Sequence, residues 1–292
     1  MLIRKGDKGE EVRQIQRELD IEADGIFGPV TESAVMRFQA ESTLEIDGIV
    51  GPKTWAELFG LTTDIQESLD SQHGIVINHH ILPKGEYLKG PTKKEWLFLH
   101  HTAGWHNPYR TIDHWGRDSR GRIATEFVLG GPSIFNDEFK YDGEIVKCIP
   151  DGGYAWHLGR NGFQEMHTNS VGIEVCNFGY LKDGKTYAGH TVHPDHCVEL
   201  AKEFKGYKNW HRYSDVQIES LRKLILFIAD RDNIDVREGL PALIKEKGAD
   251  AFEWNREAYY GHVRGLLSHS NTNKGKSDMF PQEELLTMLT EL

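Results

Sequence analysis

The chain has 292 residues, of which 38% are hydrophobic and 27% are charged, and its formal net charge is −11 at pH 7. Because phosphate contacts need a basic face, this charge argues against nucleic acid as the main ligand. No apolar run approaches the ~20 residues of a membrane-spanning helix, and the first residues lack an apolar run of secretory length. Three cysteines, odd in number and far apart, indicate a reduced chain without a disulfide framework.

A short repeat marks the first 60 residues. Asp24-Gly25-Ile26-Phe27-Gly28-Pro29-Val30-Thr31 recurs as Asp47-Gly48-Ile49-Val50-Gly51-Pro52-Lys53-Thr54. Asp-Gly and Gly-Pro each favour a turn, and the threonine can cap the helix that follows. Apolar residues at helical spacing around the two copies predict three helices, at Val12, Ile15 and Leu19, at Ala34, Val35 and Phe38, and at Trp55 and Leu58.

This module resembles the peptidoglycan-binding domain found on cell-wall hydrolases. The motif Asp-Gly-x-Phe-Gly-Pro-x-Thr, followed by Ala34-Val35 and Phe38-Gln39, carries the resemblance, which covers the whole module. It implies docking to the cell wall, with the two turns as candidate contacts, while a plain helical spacer is the alternative. We predict a small three-helix domain over residues 1–60, a linker over residues 61–71 and a second domain over residues 72–292.

Apolar runs in the second domain predict strands with helices packed on them, which is an α/β layer fold. Trp96-Leu97-Phe98-Leu99 predicts a buried strand that ends in His100-His101-Thr102, and alternation places the two histidines on opposite faces. Further strands are predicted near residues 123–129, 144–149 and 171–176. Residues 216–228 carry one apolar helical stripe, with Ser214 as N-cap and Gln217 three positions on.

Two histidines and an aspartate are candidate ligands for one metal ion: His100, His269 and Asp278. Three N/O ligands with a free fourth position suit a hydrolytic zinc ion. Neither segment is a short-range zinc motif, so spacing alone is a weak indication. His101 is an alternative first ligand, and His262 is an alternative second ligand.

Five elements, in order, resemble the zinc amidase family that includes phage amidase lysozymes, bacterial N-acetylmuramoyl-L-alanine amidases and peptidoglycan recognition proteins. They are His100-His101-Thr102-Ala103, Tyr141-Asp142-Gly143-Glu144-Ile145-Val146, Ala155-Trp156-His157-Leu158-Gly159, Asn169-Ser170-Val171-Gly172-Ile173-Glu174, and His269 with Lys276-Ser277-Asp278. The resemblance implies a mixed-sheet α/β zinc amidase domain that binds Zn²⁺ through His100, His269 and Asp278. It also implies Glu174 as the catalytic carboxylate and Lys276 as its supporting cation.

The predicted roles agree with the chemistry of these residue types. Glu174 lies on a strand whose other face is apolar; burial raises a carboxylate pKa and a nearby dication lowers it, which can leave a usable general base. Lys276 would stabilise the tetrahedral oxyanion. The alternatives are a buried ion-pair partner for Glu174 and a solvated loop lysine for Lys276. We expect His157 to line the groove or serve the structure.

Three segments depart from the family pattern. Thr125-Glu126 stands where many members carry a tyrosine or histidine beside the metal, which puts a secondary catalytic role there in doubt. Residues 177–213 form a long insertion, which we expect to be a polar surface segment. Its His190, His193, His196, Cys197 and His211 leave a second, structural zinc site as the alternative. We expect residues 233–260 to shape the substrate groove.

The resulting hypothesis is a modular phage endolysin that cuts the amide between N-acetylmuramic acid and L-alanine in bacterial peptidoglycan. We expect it to act as a monomer, to accumulate in the host cytoplasm until lysis and then to reach the wall. Alternatives are a bacterial wall-remodelling amidase, a non-catalytic peptidoglycan recognition protein and a virion component used for attachment.

Overall fold

The computed structural model describes residues 3–42, 44–59, 72–90, 93–159 and 164–292. The predicted linker lies outside the described residues, so the domain boundaries stay a prediction. The predicted three-helix module consists of α1 (Glu10–Glu18), α2 (Pro29–Glu41) and α3 (Pro52–Phe59). Their apolar faces, including Val12, Ile15 and Val35, are buried.

The first repeat copy is held together by a buried glutamine, Gln16. Its Nε2 donates to Asp24 Oδ1 at 2.7 Å and to Thr31 Oγ1 at 3.0 Å, and its Oε1 accepts from Gly25 N at 2.8 Å. Gly25 has a φ of 77°, a left-handed conformation that glycine adopts without steric cost. Helix α2 has Gly28 as its N-cap and no side-chain cap, so the predicted capping role of Thr31 is wrong.

The second copy repeats this arrangement around Gln39. Its Nε2 donates to Asp47 Oδ1 at 2.8 Å and to Thr54 Oγ1 at 3.1 Å, and its Oε1 accepts from Gly48 N at 2.9 Å. Both glutamines are buried, at 2% and 0% exposure for Gln16 and Gln39, because each satisfies several polar groups of its turn. The repeat therefore includes the glutamine eight residues before each Asp-Gly pair.

Among the described residues beyond the module, a six-stranded mixed sheet forms the framework, and its one antiparallel pair of neighbours joins residues 127–129 to residues 145–147. In spatial order the strands are β1 (Ile77–His79), β5 (Ile145–Lys147), β4 (Phe127–Leu129), β7 (Ser170–Val175), β3 (Trp96–His101) and β10 (Gly265–Ser268). Two small antiparallel pairs lie outside it: β2 (Leu88–Lys89) with β6 (Gly153–Tyr154), and β8 (Cys197–Phe204) with β9 (Tyr207–His211). The strand predicted at residues 123–129 is confined to its last three positions, β4.

Helices cover both faces of this sheet. They are α4 (Pro108–Trp115), α5 (Gln164–Thr168), α6 (Asp215–Asp232), α7 (Leu240–Lys247), α8 (Arg256–Tyr259), α9 (His269–Thr272) and α10 (Glu283–Thr290), with 3₁₀ turns at Pro194–His196 and Gly248–Phe252. Helix α6 begins with the predicted capping box, in which Gln217 N donates to Ser214 Oγ at 2.9 Å and Ser214 N donates to Gln217 Oε1 at 3.3 Å. None of the described helices is long and apolar enough to cross a membrane.

The predicted alternation along β3 is present. Leu97 and Leu99 pack into the main core with the buried face of α6, whereas Trp96 and Phe98 pack with Leu158 on the opposite face. A six-residue strand that is buried along its whole length therefore delivers His100 on one side and His101 on the other.

The three-helix module contacts the sheet domain. Gln14 Nε2 lies 3.0 Å from His80 Nδ1, and His80 Nε2 lies 2.7 Å from Asp113 Oδ1 on α4. Leu19 of α1 and Ile81 belong to one contiguous cluster of buried apolar residues. The two parts of the chain thus share apolar surface as well as hydrogen bonds.

Candidate active site and metal centre

His100, His269 and Asp278 meet at one buried point. The Nδ1 atoms of His100 and His269 are 3.0 Å apart, and Asp278 Oδ2 lies 3.4 Å from His100 Nδ1 and 3.1 Å from His269 Nδ1. Within the described ranges, no other three His, Cys, Asp or Glu side chains approach one another this closely. The structure therefore brings together the three ligands that the sequence predicts.

Strand register places the two histidines side by side. β10 runs parallel to β3 with Ser268 opposite Leu99, so His269 follows β10 where His100 continues β3. Asp278 comes from a loop, and its backbone carbonyl accepts from Ser270 N at 3.0 Å. This hydrogen bond ties the backbone of Asp278 to the start of α9, next to the side chain of His269.

Residues 251–253 support the short helix that begins with His269; none of residues 233–260 lines the cavity itself, and their role in shaping the substrate groove stays a prediction. Asn271 Oδ1 accepts from Ser268 N at 3.0 Å, while Asn271 Nδ2 donates to the carbonyls of Ala251 at 2.7 Å and Glu253 at 3.0 Å. Ser270 Oγ donates to the carbonyl of Phe252 at 2.7 Å. Hydrogen bonds to residues 251–253 therefore fix the position of the short helix that begins with the candidate ligand His269.

The protonation states of these residues suit a metal ion. Burial lowers the pKa of His100 to about 4, so its imidazole is neutral at neutral pH. Burial by itself raises the pKa of Asp278, but the electrostatic influence of His269 and the close contacts with the rings of His269 and His100 hold it well below its ordinary value. Ligand atoms around a tetrahedral zinc ion lie roughly 3.3–3.4 Å apart, close to the separations found here. The residues therefore fit a zinc ion.

His157 stands behind His100. His100 Nε2 lies 3.0 Å from His157 Nδ1, and His157 Nε2 lies 2.7 Å from Ser170 Oγ. Ser170 Oγ in turn donates to the carbonyl of Met166. With His100 Nδ1 facing the other ligands, we assign the proton to His100 Nε2, and each group then donates to the next along this chain.

Gly172 makes room for this arrangement. A Cβ atom at Gly172 would lie 3.2 Å from His157 Cγ and 2.8 Å from Thr125 Cγ2. Sequence reasoning expected a structural or groove-lining role for His157 and missed its contact with His100. The adjacent Gly172 was the available signal, since a glycine inside a strand marks a close approach.

Glu174 and Lys276 line the same cavity as the three ligands, and this cavity has a volume of about 320 Å³. Glu174 is the register partner of His100 on the neighbouring strand β7. Burial, followed by the negative charge of Asp278, raises the pKa of Glu174 to about 8, while Lys276 acts in the opposite direction. The cavity therefore combines a group that could hold a metal ion, a buried carboxyl group and the cations Lys276 and Arg120.

The alternative ligands do not belong to the group formed by His100, His269 and Asp278, although His101 is among the residues that line the cavity. His101 Nδ1 lies 3.1 Å from Tyr213 Oη, on the side of β3 that faces the core. His262 is exposed and pairs with Glu257 at 2.8 Å. Glu126, next to the cavity residue Thr125, forms a buried ion pair with Arg231 at 2.6 Å, which is a structural role.

The insertion at residues 177–213 is only partly the polar surface segment that the sequence suggests. Its hairpin β8–β9 buries Leu200, Phe204 and Trp210 in the main core. The rings of His196 and His211 are 6.4 Å apart, and in the described part of this insertion no three candidate ligands come as close together as those of the cavity.

A mixed α/β sheet that brings a buried His–His–Asp group beside a carboxyl group presents the residue types that could hold a metal ion for hydrolysis. Residues 90–278 match the family model described as N-acetylmuramoyl-L-alanine amidase, and residues 8–58 match a putative peptidoglycan binding domain. Because the first match covers more than half of the chain, the protein belongs to the N-acetylmuramoyl-L-alanine amidase family. No curated protein sequence matches it.

Several solved structures resemble parts of the chain. A peptidoglycan-binding protein from Clostridioides difficile is 41% identical over 20% of this chain and 40% of its own, with a TM-score of 0.20. The endolysin of the Burkholderia phage AP3 is 34% identical over 26% of this chain and 34% of its own, with a TM-score of 0.20. An endolysin N-acetylmuramoyl-L-alanine amidase from Clostridium intestinale is 14% identical over 73% of this chain and 95% of its own, with a TM-score of 0.37. The chain thus spans less than half of the first two proteins.

Proposed function

We propose that this protein hydrolyses the amide bond between N-acetylmuramic acid and L-alanine in bacterial peptidoglycan. The observation that carries the proposal is the meeting of His100, His269 and Asp278 beside Glu174 in one cavity. The family match over residues 90–278 indicates which reaction such a cavity would catalyse.

His100, His269 and Asp278 are the residues that would hold a zinc ion, through two neutral imidazoles and one carboxylate. A zinc ion supplies Lewis-acid chemistry, which polarises a carbonyl oxygen and activates water near neutral pH. The buried position of all three side chains limits competition from solvent. The proposal requires one such ion per chain.

Glu174 is the proposed general base. Its carboxylate takes a proton from the attacking water and passes it to the amine that leaves, a role that favours a pKa near the working pH. Burial raises the pKa of Glu174 to about 8, and a nearby dication would lower it from there. Lys276, which lines the same cavity, would stabilise negative charge on the amide oxygen, a contribution typically worth about 3 kcal/mol.

The repeat module at residues 8–58 supports a second role, docking to the wall. Docking would raise the effective concentration of the substrate at the cavity. We therefore propose an endolysin-like enzyme that acts as a monomer, with phage lysis as its setting and host cytoplasm as its location before lysis. A bacterial wall-remodelling amidase is the alternative setting for the same chemistry.

Product analysis of digested peptidoglycan tests this proposal. We expect zinc-loaded protein to release new N-terminal L-alanine without new reducing sugar ends, because the bond is an amide. Reducing ends without L-alanine would indicate a glycosidase instead. If the zinc-loaded protein binds sacculi and releases neither product, it is a recognition protein, and the catalytic proposal is wrong.

A further inference from the structure

A second surface, rich in exposed aromatic side chains, lies beside the cavity. We call it the aromatic shelf and define it by Trp105, Phe135, Tyr187 and His190. Trp105 is 38% exposed, Phe135 48% and Tyr187 63%. Exposed aromatic rings in a contiguous group mark a binding surface more often than scattered single residues do.

The shelf is a packed structure. The ring of Trp105 lies 6.0 Å from Phe135, 4.9 Å from His190 and 5.1 Å from Phe178, measured between centroids. Phe178 is only 2% exposed and lies beneath the shelf, 6.3 Å from Tyr187. The rings are therefore supported from below, which reduces the conformational entropy lost when a ligand binds.

Backbone hydrogen bonds join the loops that carry these rings. His193 N donates to the carbonyl of Ile134 at 2.7 Å, which connects the loop of His190 to the loop of Phe135. Gly104 N donates to the carbonyl of Asn177 at 3.1 Å, which connects the loop of Trp105 to the segment after β7. The three loops thus form one unit.

The position of the shelf relates it to the cavity. Its loops follow the carboxyl ends of β3, β4 and β7, the edge at which open α/β sheets bind ligands. Thr102 and Ala103 line the cavity, and Trp105 comes two residues later. Trp105 is five positions after His100, so their Cα atoms are at most about 18 Å apart.

We propose that the aromatic shelf binds the glycan strand of peptidoglycan next to the cavity. This inference rests on the proposed function, because the bond to be cut joins the stem peptide to a sugar of that strand. The strand must therefore pass the metal centre and continue beyond it, within a few sugar units of the shelf.

Charge favours the sugars over the stem peptide as occupant. Trp105, Phe135 and Tyr187 carry no charge, and aromatic faces pack well against the C–H faces of uncharged pyranose rings. A stem peptide bears carboxylates, which would call for cations; Lys276 and Arg120 line the cavity, whereas the four residues that define the shelf include no lysine or arginine. His190, at the edge of Trp105, adds a polar group that can hydrogen-bond sugar hydroxyl or N-acetyl groups.

The test compares Trp105→Ala and Phe135→Ala with a matched control, Tyr260→Ala. Tyr260 is an exposed aromatic residue, at 49%, outside the shelf. The probe is a β-1,4-linked oligomer of N-acetylglucosamine, which carries the uncharged pyranose rings and N-acetyl groups of the glycan strand, titrated calorimetrically against the full chain. We expect the dissociation constant to rise about tenfold in each shelf variant and to stay unchanged in the control. Binding by the N-terminal module is common to all variants, so the difference reports the shelf.

Kinetics give a second measurement. The shelf variants should raise KM for glycan polymer while kcat/KM for a single N-acetylmuramoyl tripeptide stays at the wild-type value. Trp105→Phe should restore most of the binding, because it keeps an aromatic face. Unchanged zinc content and circular dichroism will identify variants that remain folded, and Tyr187→Ala replaces any that do not.

Three results would overturn the inference. One is wild-type glycan affinity in both shelf variants, and another is a selective loss of affinity for free stem peptide. The third is a change of oligomeric state, which would make the shelf a contact between copies. The glycan probe contains no bond to be cut by an amidase, so a failure of the catalytic proposal appears separately, as absence of L-alanine release.

Discussion

His157 lies against His100 on the side away from His269 and Asp278, with 3.0 Å between His157 Nδ1 and His100 Nε2. Partners of this kind fix the tautomer and orientation of a ligating histidine, and their loss typically lowers metal affinity 10–100-fold. We therefore predict that His157→Ala weakens zinc binding about 10–100-fold, measured by competition with a chromogenic chelator. Ser170→Ala should have a smaller effect of the same sign.

The matched control is His262→Ala, because His262 is exposed and pairs with Glu257. Equal zinc affinity in His157→Ala and in the wild type would mean that His157 fills space without orienting the ligand.

The second prediction concerns the ligands themselves. His100→Ala, His269→Ala and Asp278→Ala should each lose the single tightly bound zinc ion, as measured by mass spectrometry of the metal. Each should also lower the midpoint of thermal unfolding relative to the zinc-loaded wild type, since metal binding contributes to folding free energy. Stoichiometric zinc in any one of the three variants would remove that residue from the ligand set.

The third prediction separates catalysis from binding at Glu174. Glu174→Gln keeps the shape of the side chain and removes the base, so turnover should fall ~10²–10⁴-fold while zinc content and sacculus binding remain. Glu199→Gln, at an exposed glutamate paired with Lys208, serves as the control. A Glu174→Gln enzyme with normal turnover would assign the proton transfer to another group.

The fourth prediction uses the two glutamine clusters of the N-terminal module. Gln39→Glu replaces a donor with an acceptor that faces Asp47 Oδ1, the carbonyl of Ile49 and Thr54 Oγ1. The hydrogen bonds that Gln39 Nε2 donates are lost and a second carboxylate faces Asp47, and each hydrogen bond typically contributes about 0.5–1.5 kcal/mol. We expect binding to sacculi to decrease, as measured by sedimentation, while turnover of soluble muropeptide is unchanged.

Arg37→Glu provides the comparison on the same helix, at an exposed position. Loss of soluble turnover in Gln39→Glu would mean that the module and the sheet domain do not fold independently.

The fifth prediction concerns pH. Burial lowers the pKa of His79 to about 4 and that of His211 to about 3. Below a pH of about 6.5 the unfolded chain therefore binds more protons than the folded protein, so the free energy of unfolding decreases as the pH falls towards 4. His79→Leu should make this decrease shallower by up to about 1.4 kcal/mol per pH unit.

Urea unfolding of metal-free protein at several pH values measures that slope. The exposed His262→Leu is the control and should keep the wild-type slope. An unchanged slope in His79→Leu would mean that His79 becomes protonated without unfolding.

Local sequence signals predicted the elements that depend on local interactions. The capping box at Ser214 and Gln217 and the alternation along β3 were read from the sequence, because both are short-range patterns. The support that residues 251–253 give to the helix after β10 could not be predicted in this way, because it depends on hydrogen bonds to Asn271, about twenty positions further along the chain. The burial of Trp210 was missed for a similar reason: its hairpin packs on a core formed by distant segments.

The candidate site followed the same division. The resemblance suggested His100, His269 and Asp278, and the structure brings them together. His157 was assigned no contact with the metal group, because nothing in its local sequence shows which ring nitrogen of His100 it faces. The contacts of His157 depend on how the side chains of His100 and Ser170 are oriented on two neighbouring strands, which a local sequence pattern does not show.

The residues of the cavity differ in how strongly the backbone constrains their positions. His100 and Glu174 are register partners on neighbouring strands, so their separation is fixed by the ladder of the sheet. Asp278 comes from a loop that contains Gly275 and is joined to α9 through the hydrogen bond from Ser270 N to its carbonyl. Loops open locally at lower free energy than central strands. On mild heating, the Asp278 loop should therefore open and release a bound metal ion while the sheet is still folded. Activity would then be lost below the temperature at which the sheet unfolds, and cooling with added zinc should restore the activity.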